Sequence, residues 1–161
     1  MRNYLIVVIG IVTLGVCLPS EVQANEFGVN LYGYSYYFLT EDQSLDYLNE
    51  FNAGLGFRAT SGGRKSSQIF LEAGTFKDCI ENQAKYLSLG FLLRVFHQLR
   101  IGINAAAYST ETINRGDVIF APLPIIAYSF GPITANGIFL PKFRDLNPFH
   151  TLGFYLTIRL F

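Results

Sequence analysis

The chain has 161 residues, of which half are hydrophobic, 16% are aromatic and only 15% are charged. Soluble domains carry about a quarter charged residues, so the composition already departs from theirs. The 12 basic and 12 acidic side chains cancel, which argues against nucleic acid as a partner because phosphate binding needs a basic surplus. The aliphatic and aromatic content excludes intrinsic disorder, and two cysteines exclude a disulfide-rich scaffold.

The first residues have the pattern of a secretory signal peptide. A short positively charged start precedes an apolar run over 5–18, and small residues at 22–24 provide a cleavage site. We therefore predict a signal peptide over 1–24 and one mature domain over 25–161. A membrane anchor would need a longer apolar run, and a lipoprotein would need a smaller residue than Val16 before Cys17. Cleavage removes Cys17, so Cys79 remains without a disulfide partner.

The remainder alternates between apolar and polar residues with the period of β-strands. Strands of about ten residues cross a bilayer when they are tilted. We predict eight such strands, over 27–39, 51–60, 67–76, 84–96, 98–109, 118–130, 132–141 and 151–161. Short turns at 61–66, 97–98 and 131–132 alternate with longer polar loops at 40–50, 77–83, 111–117 and 142–150. This alternation is typical of outer-membrane barrels, whose turns face the periplasm and whose loops face outward.

The placement of charge favours a membrane barrel over a secreted lipocalin-like barrel. The apolar faces are nearly pure, and the charges lie on the opposite faces, at Arg58, Glu72, Arg94, Arg100 and Arg159. A soluble barrel would bury those charges or expose rows of leucine to water, and both are costly. We therefore predict an all-β fold, an eight-stranded antiparallel up-and-down barrel that stands as a monomer in the outer membrane. The leucines predicted to face lipid are Leu87, Leu89, Leu152 and Leu156.

The strand directions predict two unlike ends of the barrel interior. The four arginines gather at the periplasmic end, with Glu72 near mid-height, and aromatic and small side chains gather at the outer end. Eight strands leave room for side chains or one small ligand. Two alternatives follow, an apolar pocket that opens outward above a polar plug, or a lumen filled by its own aromatic side chains.

Two sequence blocks resemble the PagP-type lipid A palmitoyltransferases, which are eight-stranded outer-membrane barrels that move a palmitoyl chain from a phospholipid to lipid A. The block FAPLPIIAYSFGPI at 120–133 resembles the family's Pro-Leu-Pro strand and the Tyr-Gly-Pro turn that follows it. The block GTFKDC at 74–79 resembles the family's Phe-Lys-Asp-Ser strand end. The resemblance implies an acyltransferase with a phospholipid donor, lipid A in lipopolysaccharide as acceptor, and no metal or organic cofactor.

The catalytic residues implied by the resemblance are only partly present. Asp78 falls on the family's catalytic aspartate, and Cys79 replaces the catalytic serine that follows it. The family's catalytic histidine falls near Tyr32, where this chain has no histidine. Acyl transfer to a hydroxyl needs a base, usually histidine, so His150 at the outer start of the last strand is either a substitute base or a rim residue. Cys79 is either a nucleophile or an inert replacement, since no cation stands beside it to lower its pKa.

The resemblance also implies lipid-binding residues. Gly90 matches the glycine that floors the family's acyl pocket, Arg115 matches a loop arginine that we expect to contact phosphate, and Pro141 resembles a proline at the family's lateral gap. Prolines remove ladder hydrogen bonds, so Pro122, Pro124 and Pro141 predict either local kinks or an unpaired stretch that admits a lipid tail. The predicted function is lipid A acylation; the alternative is a catalytically impaired lipid-binding or structural barrel of the same family.

Overall fold

The structure, a computed structural model, describes residues 26–38, 48–62, 67–143, 147 and 149–160. The predicted signal peptide over 1–24 lies outside these residues. Within the described ranges, no helix is long and apolar enough to cross a membrane.

Eight antiparallel strands form a closed barrel in which each strand pairs with the next and the last pairs with the first. All eight predicted strands are confirmed to within two residues at either end. The strands are β1 (Glu26–Phe38), β2 (Phe51–Ser61), β3 (Gln68–Lys77), β4 (Gln83–Phe96), β5 (Leu99–Ser109), β6 (Ile119–Phe130), β7 (Ile133–Leu140) and β8 (His150–Arg159).

The outer surface of the barrel is a band of exposed apolar side chains. Leu89 is 56% exposed and Leu156 is 41% exposed, and Leu87 and Leu152 lie on the same face with intermediate exposure. Their predicted outward orientation is confirmed. Rows of leucine, isoleucine and phenylalanine of this extent are not tolerated in water, whereas a bilayer matches them. The barrel wall is therefore the lipid-facing surface of a transmembrane protein.

A buried polar network crosses the interior at mid-height. The guanidinium of Arg58 on β2 forms an ion pair with Glu72 on β3 at 2.6 Å, and it donates to Asn136 on β7 at 3.2 Å and to the Tyr155 hydroxyl on β8 at 2.8 Å. Asn30 on β1 donates to Glu72 at 2.8 Å. A buried charge is tolerated when it is paired and hydrogen-bonded in this way. The network joins β2 to β7 and β8 across the lumen.

Apolar side chains fill the other half of the same cross-section. Phe70, Leu92, Ile125 and Ala127 form a buried cluster, against which Ile138 packs. The Arg58 guanidinium lies 4.3 Å from the centre of the Phe70 ring, so the polar network and the apolar cluster meet directly. Together they close the lumen at mid-height.

Above this level the lumen is occupied by stacked aromatic rings. The Tyr32 ring centre lies 5.2 Å from that of Phe76 and 4.9 Å from that of Tyr155. Phe76 in turn stacks on Tyr108 at 5.9 Å. A register shift between Tyr32 and Tyr34 turns the first ring inward and the second outward. Of the two alternatives for the outer lumen, the described side chains form the filled one.

Candidate functional site

Among the described strands, the junction between β6 and β7 has the shortest ladder. The ladder between these strands begins at the turn with Phe130 opposite Ile133 and ends at Ile125 opposite Ile138. β6 continues outward for six more residues, over 119–124, which corresponds to about 20 Å of strand. On its other side, β6 stays paired with β5 as far as Ile119. We call the unpaired outer stretch between β6 and β7 the seam.

Two prolines explain why the ladder stops. Pro124 is the first β6 residue beyond the last pair, and Pro122 follows two residues later. Residues two apart direct their backbone nitrogens toward the same neighbouring strand, so both missing N–H donors fall on one edge. Because the β5 ladder continues past both prolines, that edge is the one facing β7. Pro141 directly follows the end of β7, and its carbonyl accepts from the Asn147 amide at 3.0 Å.

Both sides of the seam are apolar. On the lumen side, Leu123 on β6 and Ile138 and Leu140 on β7 keep intermediate exposure. On the lipid side, a groove of about 450 Å³ lies where the β6–β7 ladder ends. Pro124 and Phe139 line it from the seam, and Leu93, Ile101, Gly102, Ile125, Ile126, Gly137 and Leu152 line it from the adjoining wall. A hydrocarbon chain lying in the groove would replace one apolar environment by another and would leave no polar group unsatisfied.

The Phe70 ring occupies the space in front of Gly90. A side-chain carbon added at Gly90 would lie 2.0 Å from the tip of that ring, which is far inside van der Waals contact. Gly90 faces the lumen, as the alternation predicted, but Phe70 covers it. The proposed role of Gly90 as the floor of an acyl pocket stays a prediction, and it requires the Phe70 ring to move.

Asp78, directly after β3, is buried and holds the outer loops together. One carboxylate oxygen accepts from the backbone nitrogens of Ile80 and Asn82, each at 3.0 Å. The other accepts from the hydroxyls of Thr110 and Thr112, in the loop after β5. The Asp78 carboxylate thus accepts four hydrogen bonds that fix the loops around it. Nothing in the sequence marked the two threonines, because they lie more than thirty residues away.

Cys79 is half-buried beside this carboxylate. Burial raises the pKa of the Cys79 thiol, and the negative charge of Asp78 raises it further. A reactive cysteine requires the opposite shift, because the thiolate is the nucleophile. The Cys79 carbonyl also accepts from the Asn49 backbone nitrogen at 2.6 Å, so the residue helps to fix the adjoining loop.

His150 lies on the outside of the barrel. It begins β8 on the face that Leu152 and Leu156 share, its ring stacks on Phe139 at 5.7 Å, and its Nδ1 accepts from the Lys142 backbone nitrogen at 3.0 Å. Among the described contacts, none joins His150 to Asp78 or Cys79. The structure therefore does not bring the three predicted catalytic residues together.

Arg115 lies in the loop between β5 and β6, within a short 3₁₀ turn (Asn114–Gly116). Its side chain is exposed and its backbone has φ 56° and ψ 32°, a left-handed conformation that is uncommon for residues other than glycine. This loop leads directly into the outer end of β6, so Arg115 lies shortly before the strand that borders the seam. Its predicted contact with phosphate stays a prediction.

Comparison with known proteins identifies no family. No protein-family model matches the chain, and no curated protein matches its sequence significantly. Among solved structures, the outer membrane protein Ail of Yersinia pestis, in a phospholipid bilayer nanodisc, is similar at 12% identity and a TM-score of 0.49, with 84% of this chain and 99% of that chain covered. The strand ladders and the apolar outer surface identify the chain as an eight-stranded β-barrel of the outer membrane.

Proposed function

We propose that the chain is a lipid-binding outer-membrane barrel that takes an acyl chain at the seam and does not transfer it. The observation that carries the proposal is that the β6–β7 ladder ends at Ile125 opposite Ile138 while β6 continues outward for six residues. The unpaired stretch lies in the outer half of the wall and is apolar on both sides. A lipid tail that lies in this stretch of the wall contacts Leu123 and Leu140 and stops at the buried cluster around Phe70, because aromatic rings fill the outer lumen.

The arrangement of the residues implied to be catalytic favours lipid binding over acyl transfer. The Asp78 carboxylate accepts four loop hydrogen bonds, and the pKa of the Cys79 thiol is raised. His150 is directed away from the lumen. Acyl transfer needs a base within hydrogen-bonding reach of the accepting hydroxyl, and among the described residues these three do not form such an arrangement.

Photocrosslinking from inside the barrel tests the proposal. A diazirine amino acid placed at Leu123 faces the lumen at the seam, one at Ala84 faces the lumen where β4 is paired with β3, and one at Leu89 faces lipid. We expect strong phospholipid adducts from position 89, clear adducts from position 123 and almost none from position 84. Adducts from position 123 no stronger than those from position 84 would contradict the proposal.

A second variant tests whether the lipid reaches position 123 through the seam. Pro122→Val together with Pro124→Val restores two backbone donors on the edge that faces β7. We expect the ladder to lengthen and the adducts from position 123 to fall, while those from the lipid-facing position 89 stay constant. Equal adducts from position 123 with and without the prolines would show that the lipid enters by another route.

Acyl transfer from a phospholipid to lipid A is the second candidate. It is favoured by the resemblance at 74–79 and 120–133, together with the position of Asp78 and Arg115 at the same outer end as the seam. In this case Asp78 orients the acceptor or a base, Arg115 contacts phosphate and Gly90 lies at the end of the acyl site.

Mass spectrometry of lipid A after incubation of the folded protein with phospholipid decides between the two candidates. Lipid A that gains an acyl chain would establish the enzyme, and Asp78→Asn should then lower the rate by orders of magnitude while Cys79→Ser is tolerated. A loss in His150→Asn would identify the base. Unmodified lipid A in a preparation that gives the Leu123 adducts supports binding without transfer.

A further inference from the structure

The periplasmic end of the lumen contains a second cavity, which we call the vestibule. It has a volume of about 380 Å³ and is lined by residues from all eight strands. Leu92, Ala127 and Arg58 line it on the side of the mid-height closure, so it is a blind chamber separated from the seam. The acyl-chain site proposed above does not use it.

The vestibule carries a positive excess. Four arginines line it, at positions 58, 94, 100 and 159, and among the described lining residues Glu26 is the single carboxylate. Arg58 pairs with Glu72 above the chamber, and Arg159 pairs with Glu26 at 3.2 Å. Guanidinium groups in a chamber with low-dielectric walls concentrate anions, because the field is screened less there than at an open surface.

Arg94 and Arg100 lie opposite each other in the β4–β5 ladder and differ in burial. Arg100 is only 2% exposed and its Nη1 donates to the Ser129 hydroxyl at 3.3 Å. Ser129 shares a further hydrogen bond with Thr134 at 3.0 Å. Arg94 lies at the mouth, where its Nε donates to the carbonyl of His97 in the turn between β4 and β5. One guanidinium is thus fixed inside the chamber with two hydroxyls beside it, and the second is fixed at the mouth.

We propose that the vestibule is a binding site for a phosphate group that enters from the periplasmic side. Guanidinium groups bind phosphate through paired, charge-assisted hydrogen bonds. A tetrahedral phosphate has enough acceptor oxygens for Arg94, Arg100 and the Ser129 hydroxyl together, whereas a carboxylate has two. The phosphate belongs either to a free phosphate ester of the periplasm or to the headgroup of a lipid in the inner leaflet.

Calorimetric titration of the folded protein tests the free ester. The protein is held in a maltoside detergent, which contains no phosphate, and is titrated with inorganic phosphate and then with glycerol phosphate. We expect saturable binding that Arg100→Gln and Arg94→Gln each weaken about tenfold or more, because each variant removes charge-assisted hydrogen bonds. The matched control Lys85→Gln/Lys142→Gln removes two exposed charges at the outer end of the barrel and should leave binding unchanged.

Native mass spectrometry tests the lipid source. Protein released from nanodiscs that contain phosphatidylglycerol should retain that lipid, and the retention should fall in the double variant Arg94→Gln/Arg100→Gln but not in the lysine control. Nanodiscs made with an uncharged glycolipid give the background. Arg94 is exposed, so Arg94→Gln provides a folded variant if replacement of the buried Arg100 prevents folding.

The outcomes separate clearly. Arginine-dependent binding of phosphate or glycerol phosphate assigns the site to a free ester, and arginine-dependent retention of phosphatidylglycerol alone assigns it to a headgroup. The proposal is overturned if the wild-type protein binds none of these probes, or if the lysine control loses as much binding as the arginine variants.

Discussion

The mid-height network and the seam close the same barrel by different interactions. Around Arg58 and Glu72, directional hydrogen bonds join six strands, through Asn30, Arg58, Glu72, Ser88, Asn136 and Tyr155. At the seam, the outer half of β6 pairs on one side only, and apolar contacts alone lie on the other. Hydrogen-bonded charges have one good geometry, whereas apolar contacts tolerate sliding and exchange with lipid tails. The barrel is therefore held in register at its centre and is separable at the outer junction between β6 and β7.

Breaking the network should have the largest effect. Glu72→Gln leaves the Arg58 guanidinium buried without its counter-charge, and we expect a loss of about 3–5 kcal/mol in the free energy of unfolding. Urea titration of the protein in lipid vesicles measures it. The control Lys77→Gln removes an exposed ion pair of 3.6 Å, which is worth little. Because an unpaired buried charge is the cause, Arg58→Met/Glu72→Leu should lose less than Glu72→Gln, and an equal or larger loss in the double variant would contradict this account.

Crowding the apolar half of the same cross-section should have a smaller effect. Gly90→Ala places a methyl group where the Phe70 ring now lies, and overpacking of this kind costs about 1–3 kcal/mol. The same urea titration measures the loss. Gly33→Ala is the matched control, since no atom lies within 4 Å of the added carbon there. Replacing the ring by the smaller leucine side chain, in Gly90→Ala/Phe70→Leu, should recover part of the lost stability. No recovery would mean that Phe70 is not the obstacle.

Extending the β6–β7 ladder should slow local hydrogen exchange more than it raises the free energy of unfolding. Pro122→Val/Pro124→Val supplies two donors that face β7, and each new hydrogen bond contributes about 0.5–1.5 kcal/mol, offset in part by the greater freedom of the unfolded chain without proline. Hydrogen exchange at Phe139, which lies opposite Pro124, should slow, while exchange at Ala105 in the complete β4–β5 ladder stays as it was. Unchanged exchange at Phe139 would show that the prolines are not what ends the ladder.

The smallest effect concerns Cys79, which lies in the loop after β3 at the outer rim of the barrel. Because burial and Asp78 raise the pKa of the Cys79 thiol, the thiol stays protonated at neutral pH. Alkylation by iodoacetamide should therefore be slower than that of free cysteine and should accelerate as the pH rises above the ordinary thiol range. Urea-unfolded protein, in which the pKa shift is lost, is the reference. Alkylation as fast as that reference at neutral pH would exclude the shift.

The strands and their faces were predictable because a β-strand alternates with period two whatever surrounds it. The outward position of His150 follows from the same rule, since it shares its parity with Leu152 and Leu156. The seam was half-predictable. Pro122 and Pro124 mark a weak edge, but the sequence does not say which neighbouring strand loses its ladder or at which residue pair the ladder ends.

The eight-stranded barrel with lipid outside and charges inside could be predicted from the sequence, because the alternation of apolar and polar residues is a local property of the chain. Which inward residues meet became known only from the folded barrel. Arg58 reaches Asn136 and Tyr155 from strands far along the chain, Phe70 covers Gly90, and two threonines of a different loop use the lone pairs of Asp78. These contacts depend on strand register and on the closure of the sheet, which bring together side chains that no sequence spacing relates.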